Sequence, residues 1–149
     1  MLKNYTERAT YSIRRAEEES RKMRHNYIGT GMILLGILEE GGAASRLLNS
    51  FGITYAAAHE ELEALIGRGS GNLAADIPFS PNAQEALVFA RKEAESREIK
   101  DVAVPHLLYA LLHGKDTMAM RVFDVMGINF DVVRAKVAEE LDKNYGSRT

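Results

Sequence analysis

The sequence predicts an all-α fold of about eight helices, arranged as two tandem, pseudo-symmetric four-helix repeats. The main observation is that three segments of the first half recur, in the same order, in the second half. The matching pairs are residues 5–9 with 79–83, residues 32–38 with 106–112, and residues 51–55 with 126–130. The offset is 74 residues in the first two pairs and 75 in the third, so one residue is inserted between Leu112 and Met118. A second observation is that we find no convincing strand pattern.

The composition is that of an ordinary globular protein. The chain has 149 residues, 46% of them hydrophobic and 27% charged, and its net charge is −2. We therefore expect a single domain over residues 1–149, with no nucleic-acid or membrane partner. The absence of cysteine excludes disulfides and thiolate chemistry and is consistent with a cytoplasmic protein. No apolar run approaches the roughly 20 residues that span a bilayer, and the first residues are too charged for a signal peptide.

The first helix is predicted to begin after Thr6, its N-cap, and to continue to about Arg24. Its inner face has small and apolar residues at helical spacing, namely Ala9, Ile13, Ala16 and Ser20. Its other face is charged and is predicted to be solvated, with Glu17, Glu18, Glu19, Arg21 and Lys22.

Three shorter helices complete the first repeat, which is predicted over residues 5–66. Thr30 is predicted to cap the second helix, which continues to about Glu40 and ends at the following glycine pair. The third helix is predicted to carry Leu47, Leu48 and Phe51 and to end at Gly52. The fourth, capped by Thr54, is predicted to point Leu62, Leu65 and Ile66 inward.

A linker is predicted at residues 67–79, and its glycine-rich start at residues 67–72 is predicted to be flexible. The second repeat is predicted over residues 80–141. Ser80 with Pro81 at the first helical position is a strong start signal for the fifth helix.

The last three helices have start signals of the same kinds. Pro105 is predicted at the first position of the sixth helix, and the seventh is predicted over residues 117–126. Asn129 or Asp131 is predicted to cap the eighth.

No group of residues has the spacing of a catalytic or metal site. His106 and His113 share a helix face, but they lack a carboxylate or thiolate partner, so we expect a structural role. Carboxylates adjacent in sequence, such as Glu39 and Glu40, point about 100° apart on a helix and do not converge on a substrate. The glycine pattern at residues 29–31 could hold an anion, but a helix cap is the preferred interpretation. We therefore expect a domain that is not an enzyme and binds no cofactor.

The repeated unit resembles the Clp N-terminal repeat. The segments that carry the resemblance are residues 25–30, 33–38, 47–48, 51–53 and 65–69 in the first half, and residues 79–83 in the second. The resemblance covers about Tyr5 to Leu141. The short hinge at residues 66–69 is similar to that of the N-domain of ClpC-type AAA+ unfoldases.

The resemblance implies a non-catalytic domain on top of an ATP-driven hexameric ring. Such domains bind adaptor proteins and substrate polypeptides and pass them to the Clp AAA+ ring, which unfolds them into a peptidase. The chain is then either the N-terminal part of a longer unfoldase or a stand-alone accessory protein of the same fold. The alternative from another class is a regulatory helical domain that binds a small ligand or an anion.

One departure from the ClpC-type pattern concerns two acidic residues. In that pattern a Glu-His pair follows the Gly-Thr of each repeat, and the glutamates help to bind phosphoarginine in some members. The matching positions here are Gly31–Met32 and Pro105–His106, so both glutamates are absent. A guanidinium group would lose charge-assisted hydrogen bonds worth roughly 1.5–3 kcal/mol each. We therefore predict that phosphoarginine binding is weak or lost.

We expect the two repeats to bring the first and fifth helices, and the starts of the second and sixth, to related faces, and we expect partners to dock there. The predicted binding residues are Thr6, Gly29, Thr30, Gly31, Met32, Ser80, Val104, Pro105 and His106. The alternative is that these residues only cap helices and pack the repeats together, because capping by itself accounts for the hydroxyl residues among them.

Overall fold

The computed structural model describes residues 2–70 and 75–146 of the chain. Over these ranges it contains eight α-helices and no β-strand, which confirms the predicted all-α class. The helices are α1 (Glu7–Lys22), α2 (Thr30–Glu40), α3 (Ala43–Ser50), α4 (Tyr55–Ile66), α5 (Pro81–Ser96), α6 (Val104–Leu111), α7 (Met118–Val125) and α8 (Phe130–Tyr145).

Side-chain caps define several of the helix starts. The hydroxyl oxygens of Thr6, Thr54 and Ser80 each accept a hydrogen bond from the backbone amide three residues later. The side chain of Asn129 accepts from two amides at the start of α8. Because these bonds satisfy amides that have no partner within the helix, they favour helix initiation at the predicted residues.

The two apolar blocks lie at the centre of the molecule. Every residue of α2 from Thr30 to Leu38 is buried, and so is every residue of α6 except Pro105. Helix α1 packs very closely on α2, since a Cβ atom at Gly36 would lie only 2.0 Å from the carbonyl oxygen of Ser12. A glycine therefore permits contact between the backbones of these two helices.

The two repeats share one hydrophobic core. Helix α2 of the first repeat contacts α5, α6 and α7 of the second, and α3 contacts α6 and α8. The buried residues on these helices form one continuous cluster. Each repeat thus covers apolar surface of the other, as expected for a duplicated unit that cannot bury its own hydrophobic face.

Two predictions about side-chain burial were wrong. Glu19 was placed on the solvated face of α1, but it is fully buried between that helix and its neighbours. Leu65 on α4 is predicted to point towards the core, but 36% of its surface is exposed. Helical spacing in the sequence cannot predict either result. It shows which face of a helix is apolar, but not how much of the helix surface the neighbouring helices cover.

Two helix ends differ slightly from the predicted positions. Helix α1 ends at Lys22, and Arg24 takes a left-handed φ of 61° that terminates the turn. Helix α6 begins one residue earlier than predicted, at Val104, so Pro105 occupies its second position. Proline is tolerated at both positions because neither amide would have a partner within the helix.

The first part of the predicted linker is packed against α1. The amide of Gly69 donates to the carbonyl of Met23 at 2.8 Å, and a Cβ atom at Gly69 would lie 1.8 Å from the carbonyl oxygen of Arg24. This close approach requires glycine and ties the linker to the end of the first helix. The remaining part of the segment predicted to be flexible, residues 71–72, lies outside the described residues.

Candidate functional site

A short backbone bridge joins the start of the first repeat to the second. The amide of Thr6 donates to the carbonyl of Val102 at 2.9 Å, and the amide of Val102 donates to the carbonyl of Asn4 at 2.8 Å. The N-terminus of α1 therefore lies beside the segment that enters α6. This arrangement comes from the extended residues before each helix, which pair as a single parallel bridge between Tyr5 and Val102.

A second bridge is equivalent to the first by the internal repeat. It joins the segment before α2 of the first repeat to the segment before α5 of the second. The amide of Ser80 donates to the carbonyl of Ile28 at 2.9 Å, and the amide of Ile28 donates to the carbonyl of Pro78 at 2.8 Å. The N-terminus of α5 therefore lies beside that of α2. The structure thus places the start of α1 beside that of α6 at one bridge, and the start of α5 beside that of α2 at the other.

A groove lies beside each bridge. The Ser80 groove has a volume of about 260 Å³ and is lined by residues of α2, α4, α5 and α7, among them Gly31, Leu62, Ser80, Asp116 and Arg121. Its lining includes the amino end of α2, whose N-cap residue is Gly29 and makes no side-chain cap hydrogen bond.

The Thr6 groove has a volume of about 350 Å³ and is lined by residues that include Thr6, Arg46, Pro105 and Tyr145. It continues into a larger groove of about 440 Å³ between α3, α6 and α8, which we call the α3–α8 groove. The α3–α8 groove is mainly apolar, with Ala43, Ala44, Leu47, Leu108 and Val137 in its lining. The two cavities share several residues and form one continuous depression.

The two bridge grooves share an arginine from the same place in the repeat, and the Thr6 groove is also lined by Arg8. Arg46 on α3 lines the Thr6 groove and Arg121 on α7 lines the Ser80 groove, and both are exposed. The two residues are 75 positions apart, the offset of the later segments. Sequence reasoning did not select them, although the offset of the duplication is a signal that would have paired them.

The structure places most of the predicted binding residues inside the molecule. Only three of the nine, Thr6, Ser80 and Pro105, are partly exposed. The six buried residues are Gly29, Thr30, Gly31, Met32, Val104 and His106. A docked partner could reach the first three directly, whereas the buried residues shape and position the helix starts around them.

Thr30 is not the cap that the sequence predicted. Gly29 occupies the N-cap position and Thr30 is the first residue of α2. The Thr30 hydroxyl oxygen instead accepts a hydrogen bond of 3.0 Å from the amide of Ala119 at the start of α7. The side chain therefore satisfies a helix start in the other repeat and connects the two halves near the Ser80 groove.

His106 is a buried structural residue. Its Nδ1 atom accepts from the amide of Ala103 at 2.9 Å, which completes the start of α6. Its Nε2 atom is buried without a hydrogen-bond partner, and the ring of Tyr145 packs edge-on at 4.9 Å between centroids. Burial, together with the nearby positive charge of Arg97, lowers the pKa of His106 to about 4. The imidazole is therefore neutral at pH 7.

The duplicated helices, and the two equivalent bridges that join the repeats, agree with the comparison to known families. The sequence model of the Clp repeat N-terminal domain matches residues 4–104 and residues 78–148. The chain belongs to this Clp repeat family.

Curated relatives of the Clp repeat domain are much longer than this chain. An ATP-dependent Clp protease ATP-binding subunit ClpA homolog of Cyanidium caldarium is 41% identical over 138 residues, which cover 92% of this chain and 16% of that protein. The chloroplastic chaperone protein ClpC1 of Arabidopsis thaliana is 38% identical over 145 residues, which cover 97% of this chain and 16% of that protein. The chain spans about a sixth of the length of these relatives.

Solved structures show the same fold. The N-terminal domain of the caseinolytic protease associated chaperone ClpD from Arabidopsis thaliana superposes with a TM-score of 0.80 at 23% identity, covering 95% of this chain and 99% of that one. The Hsp104 N-terminal domain from Candida albicans gives a TM-score of 0.79 at 19% identity, covering 98% and 95%. At these identities the likeness establishes the fold alone.

Within this Clp repeat domain, both grooves lack an acidic residue at the matching position. A Cβ atom at Gly31 would lie 2.6 Å from the Cδ1 atom of Leu62, so the leucine occupies the space of a longer side chain there. At the equivalent position in the Thr6 groove, Pro105 supplies neither a carboxylate nor an amide hydrogen. Neither position can hold a guanidinium group by ion pairing.

The described residues contain no constellation for metal chemistry. Over residues 2–70 and 75–146, no group of three or more His, Cys, Asp and Glu side chains is placed to hold a metal ion. None of the helices over the same ranges combines the length and apolar character that a bilayer crossing requires. The arrangement offers grooves and helix starts, which are features suited to binding.

Proposed function

We propose that this Clp repeat domain is the non-catalytic N-terminal binding domain of a Clp-type ATP-dependent unfoldase. In this role it recruits adaptor proteins and substrate polypeptides for unfolding by the AAA+ ring and for proteolysis by an associated peptidase. The observation that carries the proposal is the match to ClpA and ClpC homologs at 37–41% identity over nearly the whole chain. Each relative is named as an ATP-binding subunit or a chaperone, and this chain corresponds to about a sixth of it.

The surface best suited to a polypeptide partner is the Thr6 groove with its apolar continuation. An extended apolar depression can accept the side chains of an unfolded segment without requiring a particular sequence. Leu47 and Val137 line its apolar part, while Arg46 and Lys136 supply positive charge to the lining. Glu140 in the same lining, and Glu7 and Glu40 in the Thr6 groove, balance this positive charge. The depression therefore favours segments rich in apolar residues, with no preference for one sign of charge.

The size of the native protein is the first test. An immunoblot of cells that express the chain, with an antibody against the domain, should show a band several times larger than 16.5 kDa. Such a band means that the domain is the front part of an unfoldase. A band at the size of this chain would contradict that arrangement and favour a stand-alone accessory protein.

Binding of a permanently unfolded polypeptide tests the surface directly. We expect a fluorescent, permanently unfolded protein to bind the domain in an anisotropy titration, and Leu47→Glu to weaken binding about tenfold or more by placing a charge in the apolar groove. Leu65→Glu is the matched control, because Leu65 is also a partly exposed leucine but lies on α4. No binding by the wild-type domain would contradict the proposed role, and equal effects of both variants would exclude this surface.

A further inference from the structure

A buried hydrogen-bond donor lies under the last turn of α8. Nδ1 of His106 accepts from the amide of Ala103 at 2.9 Å, so the hydrogen of the neutral imidazole is on Nε2. His106 is fully buried, and its Nε2 atom has no hydrogen-bond partner among the described residues. A buried donor without an acceptor is costly and is rare in folded proteins. This donor therefore needs an acceptor that residues 2–70 and 75–146 do not supply.

Tyr145 separates this donor from the surface. Its ring packs edge-on against the ring of His106, with 4.9 Å between the centroids, and an aromatic ring is at most a weak acceptor. Tyr145 also lines both the Thr6 groove and the α3–α8 groove, and so does Pro105, the neighbour of His106. Displacement of Tyr145 would therefore connect Nε2 of His106 with the depression that the two grooves form.

The last turn of α8, residues 142–145, is held less firmly than the rest of the helix. The body of α8 is anchored by three buried residues, Val133, Val137 and Leu141. In the last turn Tyr145 is partly buried and the other three residues are exposed. A helix end with so few buried contacts opens at a lower free energy than the core does. We call this last turn the α8 lid.

One arginine at the end of α5 holds the α8 lid in place. Nη1 of Arg97 donates to Oδ1 of Asp142 at 2.8 Å and to the carbonyl oxygen of Gly146 at 2.5 Å. The Arg97 side chain is only 1% exposed, whereas that of Asp142 is 56% exposed. Arg97 also pairs with the buried acid Glu93, so its removal would disturb the interior. A change of Asp142 therefore weakens the hold on the lid from the solvent side.

The first repeat has other residues at the equivalent positions. The 74-residue offset of the duplication pairs His106 with Met32 and Arg97 with Met23. A methionine side chain has no hydrogen-bond donor and carries no charge. The concealed donor and the arginine that holds its lid are therefore specific to the second repeat, and they belong to the depression formed by the Thr6 groove and the α3–α8 groove.

We propose that a bound polypeptide displaces the α8 lid and accepts a hydrogen bond from Nε2 of His106 with one of its backbone carbonyl oxygens. This inference rests on the proposed function, since it concerns how the same depression holds a polypeptide. A backbone carbonyl is the acceptor that every polypeptide carries whatever its sequence. Because only the open form binds in this way, a lid that is mostly closed lowers the apparent affinity of the domain.

Anisotropy titrations with a fluorescent, permanently unfolded protein test the lid. Tyr145→Ala should bind about tenfold more tightly than the wild type, the gain expected when the open form makes up about a tenth of the molecules. Asp142→Ala weakens the hold on the lid without changing a lining residue of either groove, and it should also tighten binding. Asn144→Ala is the matched control, because Asn144 lies in the same turn and lines the α3–α8 groove, and it should bind like the wild type. Unchanged or weaker binding by both Tyr145→Ala and Asp142→Ala would overturn the proposal, and Asp142→Ala decides it if Tyr145→Ala does not fold.

NMR of the wild-type domain tests the hydrogen bond itself. Without polypeptide, ring protons of Tyr145 and His106 should show nuclear Overhauser effects, because the two rings are in contact. With saturating unfolded protein, these effects should disappear and the Nε2 proton of His106 should shift downfield. Overhauser effects that persist in the bound domain would overturn the lid and leave the proposed function intact. A wild-type domain that binds no unfolded protein would instead refute the proposed function, and this inference with it.

Discussion

Replacement of Gly36 by alanine tests the close packing at the centre of the fold. A Cβ atom at this position would lie 2.0 Å from the carbonyl oxygen of Ser12, 3.0 Å from its carbonyl carbon and 3.1 Å from the amide nitrogen of Ala16. All three are backbone atoms of α1, which cannot rotate away as a side chain can. The two helices must therefore separate by more than about 1 Å before the contact becomes an ordinary one.

The magnitude follows from two opposing effects. Overpacking in a well-packed core costs roughly 1–3 kcal/mol and occasionally more, and a contact with rigid backbone belongs at the upper end. The higher helix propensity of alanine recovers about 1 kcal/mol. We expect a net loss of about 2–3 kcal/mol in the free energy of unfolding, which corresponds to a fall in Tm of about 5–10 °C for a chain of this length.

Gly31→Ala is the matched control for this prediction. It lies in the same helix, but its Cβ atom would meet the Cδ1 atom of Leu62, the flexible end of a side chain, at 2.6 Å. We expect its unfolding free energy to stay within about 1 kcal/mol of the wild type. Urea and thermal denaturation measure both variants. If Gly36→Ala is as stable as Gly31→Ala, the argument from rigid backbone contact is wrong.

Three other predictions concern ligand binding, the contact between repeats and the buried histidine. A phosphoarginine peptide should bind weakly or not at all, because Gly31 and Pro105 supply no carboxylate; micromolar affinity in calorimetry would contradict this. Thr30→Val should cost about 1–3 kcal/mol in urea denaturation, because the buried amide of Ala119 loses its acceptor; an unchanged midpoint would refute the assignment. The lowered pKa of His106, about 4, means that its contribution to stability is complete above about pH 6.5 and is lost as the pH falls towards 4. His106→Gln should flatten the stability curve in that range, and parallel curves for the two proteins would show that this residue does not titrate there.

The duplicated pattern was a reliable guide to the fold. Matching segments predicted both the number of helices and the equivalence of the two halves, because each repeat has to bury a similar apolar face against the other. The caps at Thr6, Thr54 and Ser80 were also predictable, since a cap depends on a side chain and an amide only three residues apart. The assignment of Thr30 failed for the opposite reason. Its hydroxyl oxygen accepts a hydrogen bond from the amide of Ala119, which is 89 residues away in the sequence.

The candidate site was predictable only in outline. The sequence predicted that the helix starts would lie on related faces, but it did not show that Met32 and His106 would be fully buried there. Arg46 and Arg121, which line the two grooves at equivalent places, were overlooked, although the repeat offset relates them. Exposure at these places depends on how far the helices of one repeat extend over the other, which no local pattern records.

The sequence by itself determined the helices, their caps and their duplication, because these depend on residues within a few positions of one another and on a regular offset. Only the tertiary structure decided which polar groups became buried and what they met there. Glu19 shows the difference, since its helical neighbours are charged and typical of a solvated face, yet α2 and α4 enclose it with Glu39 and Tyr55. The ionisation of a carboxyl group depends on that enclosure, because burial and nearby charges act through space and not along the chain.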